Sequence, residues 1–132
     1  MFDPISVPFN SVMLFNEVKL KPGLTIEDVE LEIGEMCNVV KNTYASDGFI
    51  AGQVFQKTGQ VSEQGSILRE DRTYDEVVVL AIITYWRTFE QHERSHADAR
   101  FKERFSALLE SCDDAYEVAY DLLWQGEPDT HD

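Results

Sequence analysis

Positive charge is what this sequence has least of: its 132 residues include 11 Lys and Arg against 25 Asp and Glu, a formal net charge of −14. Such a chain repels phosphate backbones and anionic headgroups, which argues against nucleic acid and the membrane surface as partners. Cysteine is scarce as well. Cys37 and Cys112 are too few for a disulfide framework, so reduced thiols and a cytoplasmic location are expected. The longest apolar run, Val77 to Ile83, falls far short of the roughly 18 residues of a membrane-spanning helix. The opening Met1-Phe2-Asp3-Pro4 lacks the basic and then apolar pattern of a secretory signal. The expectation is a soluble single domain over 1–132, with an extended arm over 1–10 and an acidic tail over 126–132.

The apolar residues that are present fall into clear periods. Val12, Leu14, Val18 and Leu20 alternate on one face of a strand over 11–21, with the polar Asn16 among them, and Pro22-Gly23 closes it. Thr25 and Asp28 form a helix start. Ile26, Val29, Ile33, Met36, Cys37 and Val40 then recur at helical spacing to about Thr43. Asp47-Gly48 turns into a second strand, Phe49 to Gln56, followed by a polar loop, Lys57 to Asp75, whose length marks it for a site or subunit contact. A third strand, Glu76 to Trp86, is apolar on both faces and must be covered on both sides. Helical sequence occupies Thr88 to Cys112. The last strand, Ala115 to Gln125, places Tyr116, Val118, Tyr120, Leu122 and Trp124 on one face.

The order β-α-β-β-α-β is the ferredoxin-like α+β arrangement, a four-stranded antiparallel sheet with both helices on one face. The open face then needs a cover. A second copy closing sheet against sheet into a dimeric α+β barrel supplies it, so a homodimer through that face is expected, with larger homo-oligomers built on it.

The segment Trp86 to His96 holds the strongest chemical signal. His92 and His96, four residues apart, share a helix face at roughly 6 Å, which suits two imidazoles on one metal ion. With a carboxylate they would form a two-histidine-one-carboxylate set with open coordination positions. The competing reading is a solvated surface pair. Helix phase bears on the choice: at about 100° per residue, an unbroken helix carries His96 some 140° from the apolar stripe Phe101, Phe105, Leu108, Leu109 and Cys112. Phe89, His92 and His96 form a stripe of their own, and a break near Ala97 to Arg100 would turn it inward. Cys37 lies on an apolar stripe, so packing is its default role, and reactivity would require cavity access beside a cation or metal. Cys112 ends the second stripe as a structural residue. Asn16 is either locally hydrogen-bonded or lines a cavity.

Trp86 followed six residues later by His92-Glu93 and then His96, together with Cys37, Gly48-Phe49 and Tyr116-Glu117 with Tyr120, resembles the sulfur oxygenase reductases. These are non-haem iron enzymes acting on elemental sulfur, and the match covers one of their two repeats. The resemblance implies Fe(II), or another divalent metal, on His92, His96 and Asp113. It makes Cys37 the catalytic thiol that holds sulfur, and it implies no organic cofactor. Glu17, Glu110, Asp114 and Glu117 stand as substitute carboxylates. More broadly, Trp86, His92, His96 and Phe101 resemble the antibiotic-biosynthesis-monooxygenase-like dimeric α+β barrels, a likeness that implies fold more than function. Asn16 with Gly23 matches the haem-degrading members of that group. Ser95 and Phe105, however, stand where those enzymes carry a tryptophan and a haem-ligating histidine. Two readings follow: an iron oxygenase acting on inorganic sulfur, or a metal-free barrel that binds a small molecule or acts as a cofactor-free monooxygenase.

Overall fold

A computed structural model describes residues 4–65, 67–68, 77–96 and 98–129, apart from the side chains of Gln60, Ile67, Leu68 and His96. Strand β1 (Val12–Leu20) buries Leu14, Val18 and Leu20 on the face predicted by their alternation. After the turn at Gly23, the Thr25 N–H donates to Asp28 Oδ2 at 2.7 Å and opens α1 (Ile26–Thr43). Its stripe of Val29, Ile33, Met36 and Val40 is buried. Strand β2 (Phe49–Gln56) is followed by two short strands, β3 (Gln60–Val61) and β4 (Ile67–Leu68), which pair in a small second sheet. The expected loop therefore carries a hairpin, and residues 66 and 69–75 of that loop lie outside the described residues. Strand β5 (Val79–Trp86) precedes two helices, α2 (Phe89–His96) and α3 (Ala99–Leu109), and β6 (Cys112–Asp121) completes the chain.

The main sheet has the order β2-β5-β1-β6 with every neighbouring pair antiparallel, the ferredoxin-like topology. Its core lies on the helix side. Val18, Leu20, Leu80 and Ile82 of the sheet pack on Val29, Ile33 and Met36 of α1 and Leu108 of α3. A second cluster joins Leu14 and Trp86 to Val40 and Tyr44, with Phe101 packed against both. On the opposite face, Phe15 lies between Tyr116 and Tyr120, at ring separations of 6.5 and 6.4 Å. Tyr116, Val118 and Tyr120 remain exposed there.

The helical stretch over 88–112 forms two helices, α2 ending at His96 and α3 starting at Ala99 after the Asp98 cap, as a break near 97–100 requires. One boundary differs from expectation for a physical reason. The last strand starts at Cys112 rather than Ala115, because Leu20 pairs with Cys112 and Lys19 with Asp114 across a bulge. It ends at Asp121, so Leu122 and Trp124 keep the alternation but have left the sheet. There the tail runs beside the arm, with the Leu122 N–H donating to Ser11 O at 3.4 Å and Gln125 Nε2 to Val7 O at 2.9 Å. Among the described residues no helix is long and apolar enough to cross a membrane.

Gly48, with φ at 93°, brings the start of β2 against α2, and a Cβ there would come within 2.8 Å of Gln91 Cβ. Gly48→Ala is expected to lower unfolding free energy by about 1–3 kcal/mol. A denaturation midpoint equal to that of the parent chain would show that this contact is unimportant.

Candidate functional site

The site is built by the way the chain leaves β5. The Arg87 N–H donates to Gly48 O at 2.9 Å, and Thr88 Oγ1 accepts from the Gln91 N–H at 3.1 Å, starting α2. Arg94 pairs with Asp47 and ties α2 to the segment before β2. Two residues beyond His96, Asp98 Oδ1 accepts the Arg100 and Phe101 N–H groups at 2.8 and 3.3 Å, capping α3. Its Oδ2 accepts the Tyr44 hydroxyl at 2.9 Å and Arg100 Nη2 at 3.1 Å. Hydrogen bonds from Arg100 first, and then from Tyr44, hold the Asp98 carboxyl well below the usual carboxylate range. Burial, followed by the hydrogen bond to Asp98, pushes the Tyr44 phenol up to about 12.

With the helix broken there, His92 turns inward and is 3% exposed. Its ring meets Trp86 edge-on at 5.5 Å and lies 6.0 Å from Phe89. The buried Ser95 hydroxyl donates to His92 O at 2.6 Å. His92 Nε2 is 3.2 Å from Glu117 Oε2, and Nδ1 is 3.6 Å from Glu93 Oε1. Glu117 sits on β6 directly opposite Asn16 of β1, whose amide donates to Ile82 O at a long 3.5 Å. Ala115 and Ala119 flank Glu117 on the same face and are exposed, so small side chains leave the strand open around the carboxylate. The Glu117 side chain is 28% exposed against 4% for His92. A buried imidazole thus backs a carboxylate that solvent can reach, an arrangement suited to moving a proton.

Of the residues singled out in the sequence, His92 enters this site. His96 ends α2, and its side chain lies outside the described residues. Asp113 does not approach His92. It is an exposed residue at the bulged start of β6, four positions and roughly 13 Å of strand from Glu117. Glu117, one of the substitute carboxylates, takes that place. Cys37 packs against the cluster of Val18, Leu20 and Met36, whereas Trp86 beside His92 belongs to the other cluster. Burial pushes the Cys37 thiol up and disfavours the thiolate. Among the described residues no group of three His, Cys, Asp or Glu side chains is arranged to hold a metal ion. Sequence reasoning missed Tyr44 and the role of Asp98. A signal existed for the latter, since aspartate is a favoured cap just ahead of a periodic apolar stripe.

No family model matches the chain, and no curated protein matches its sequence. Solved structures do. SnoaB, a cofactor-independent oxygenase from Streptomyces nogalater, is 16% identical, with 91% of this chain and 99% of that one covered and a TM-score of 0.59. A Caulobacter crescentus chain provisionally described as an antibiotic biosynthesis monooxygenase is 10% identical, with coverage of 88% and 92% and a TM-score of 0.60. A dimeric ferredoxin-like protein of unknown function from Thermobifida fusca is 9% identical, with coverage of 92% and 100% and a TM-score of 0.59. At these identities the likeness is one of fold, and it agrees with the broader of the two resemblances.

The Asp98 arrangement has a pH signature. Its carboxyl titrates lower in the folded chain than the value of about 3.9 expected when unfolded. Its contribution to stability is therefore fully present above about pH 4 and is lost as pH falls toward the folded value. Asp47, held low by its hydrogen bond to Arg94, acts in the same direction. Denaturation midpoints are expected to fall below about pH 4, with a shallower fall in Asp98→Asn. Superimposable acid limbs would reject the assignment.

Proposed function

We propose that the protein is a homodimeric α+β barrel that uses Glu117, backed by His92, as a general base on a small uncharged organic molecule, with cofactor-free oxygenation as the reaction. The observation that carries this reading is the 3.2 Å approach of a buried imidazole to a solvent-reachable carboxylate. Glu117 is the member a substrate can touch, and His92, wedged against Trp86 and Phe89, keeps it aimed. Electrostatics favour an uncharged substrate. Glu93 and Glu117 bring negative charge to the site, and Arg94 of α2 and Arg100 of α3 are engaged by Asp47 and Asp98. Kinship of fold with SnoaB supports oxygenation.

In such a reaction the substrate itself supplies the electrons. Glu117 takes a proton from a C–H acidified by a neighbouring carbonyl or phenol. One electron passes from the carbanion to dioxygen and the two radicals combine in a C–O bond. The peroxide takes the proton back from Glu117, and the hydroperoxide loses its remaining C–H proton and the terminal OH as water, leaving the carbonyl. A CH2 group plus O2 becomes C=O plus H2O. Dioxygen uptake in chelator-treated protein with enolisable or phenolic compounds is the test, and Glu117→Gln is expected to lower the rate by about 10²–10⁴-fold. Uptake at the parent rate in that variant would reject the reading.

The dimer rests on the open face, where Phe15, Ile83, Tyr85, Tyr116, Val118 and Tyr120 form an apolar surface on a strongly acidic chain. An identical face covers this apolar surface, with the Glu17 carboxylate hydrogen-bonded by the Tyr116 hydroxyl beside it. Light scattering is expected to give twice the chain mass, reduced to one chain mass in Val118→Lys. A monomeric parent chain would contradict this.

A second reading keeps the metal. Nε2 of His92 and Oε2 of Glu117, 3.2 Å apart, have about the separation of adjacent ligands on an octahedral ion with bonds near 2.1 Å. His96 is one helical turn from His92. On this reading His92, His96 and Glu117, in place of Asp113, would hold Fe(II), which would supply redox chemistry for dioxygen or a sulfur substrate, and Cys37 would act only if its thiol left the cluster in which it is packed. It predicts about one ion per chain in tag-free protein, lost on joint His92→Ala and His96→Ala substitution. Metal that is substoichiometric and unchanged by the substitutions would reject it.

A further inference from the structure

We infer that Asp98 is a positioning residue for the Glu117–His92 pair. Its two carboxylate oxygens divide the work of making the corner that turns His92 inward. Oδ1 satisfies the first free amides of α3, those of Arg100 and Phe101. Oδ2 takes the Tyr44 hydroxyl, and Tyr44 is the residue at which α1 ends. The corner is thereby fastened to a third element. The Asp98 side chain is 13% exposed, and Arg100 closes over its outer side through Nε and Nη2. On the inner side the Tyr44 ring is 6.2 Å from Trp86, and Trp86 is 5.5 Å from His92. Asp98 therefore reaches His92 by two routes, through the backbone of the corner and through the aromatic contacts Tyr44–Trp86–His92. Without the cap, the break leaves the first amides of α3 unsatisfied and the straight helix gains ground, and a straight helix faces His92 away from β6.

The inference rests on the proposed catalytic pair only for its effect on turnover; the placement of His92 is measured without substrate. Diethyl pyrocarbonate modifies accessible imidazoles. Trypsin cuts after Arg87, Arg94 and Arg100, so His92 and His96 fall in separate peptides, 88–94 and 95–100. The parent chain is expected to react slowly at His92. Asp98→Ala and Tyr44→Phe are expected to raise that rate by up to roughly tenfold, the equivalent of a lost hydrogen bond. Asp98→Asn keeps a carbonyl for the cap and a polar group for Tyr44, and should restore the slow rate. If Asp98→Ala fails to fold by far-UV circular dichroism, Tyr44→Phe, which removes a single hydroxyl, decides. A parent-like modification rate in folded Tyr44→Phe and Asp98→Ala overturns the inference, as does failure of Asp98→Asn to restore protection. Should Glu117 prove inert in turnover, the catalytic reading falls and the modification rates still stand. If both hold, kcat falls in Tyr44→Phe with KM little changed.

Discussion

Had residues 88–109 folded as one rod, His92 would lie roughly 140–180° around the helix axis from the stripe formed by Phe101, Phe105 and Leu108. Those three pack on the sheet and α1, so His92 would have faced water. The corner at Asp98 removes that conflict. Breaking a helix exposes amide groups that must find partners, and here they find Asp98 Oδ1, while the other oxygen is held by Tyr44 and Arg100. One side chain thus meets the cost of the break and determines where the new helix can sit. The burial of His92 and Ser95, the edge-on contact with Trp86 and the approach to Glu117 all follow from that geometry.

A polar pair on the helix-covered face of a sheet would be costly deep in the core, because unmatched polar groups lose their hydration. The fold lowers the cost by placing Glu117 on an edge strand. Strand β6 pairs with β1 on one side only, and its helix-facing alanines leave water access beside the carboxylate. Asn16, directly opposite on β1, continues the polar patch one strand further in, with its amide on a sheet carbonyl. On the next strand, Ile82 and Leu80 of that face are buried and apolar. Polarity therefore falls off from the edge inward, and the reactive groups sit where the gradient is steepest.

Much of this was legible in the residues. Period-two alternation located β1, a run apolar on both faces located β5, helical spacing located α1, and the order of elements implied the sheet topology that is found. The phase mismatch between His96 and the later stripe left either a solvated pair or a break near 97–100, and the chain has two helices there. The partner carboxylate was not legible, because it depends on strand register. A one-residue bulge, with Leu20 paired to Cys112 and Lys19 to Asp114, shifts the pairing so that Glu117 rather than Tyr116 comes opposite Asn16. Register is set by long-range packing that a single strand does not encode. The tail misled for the opposite reason: Leu122 and Trp124 alternate correctly, but past Asp121 the chain runs beside the arm instead of within the sheet. Tyr44 was silent because its function depends on a partner 54 positions away.

The corner also governs which of the two chemistries the site can host. His92 and Glu117 alone, one nitrogen and one oxygen at 3.2 Å, are complete as a proton-transfer pair. A metal site needs a third donor, and the residue one turn on is His96, the last of α2 and two positions before the Asp98 cap. Asp98, whose contacts shape the corner that buries His92, is thus close in the chain to the residue a metal site would need. A chain of this fold could move between base catalysis and metal binding by altering its corner, with the sheet and the carboxylate left as they are. That is a physical reason why a shared fold is compatible with different chemistry at one site.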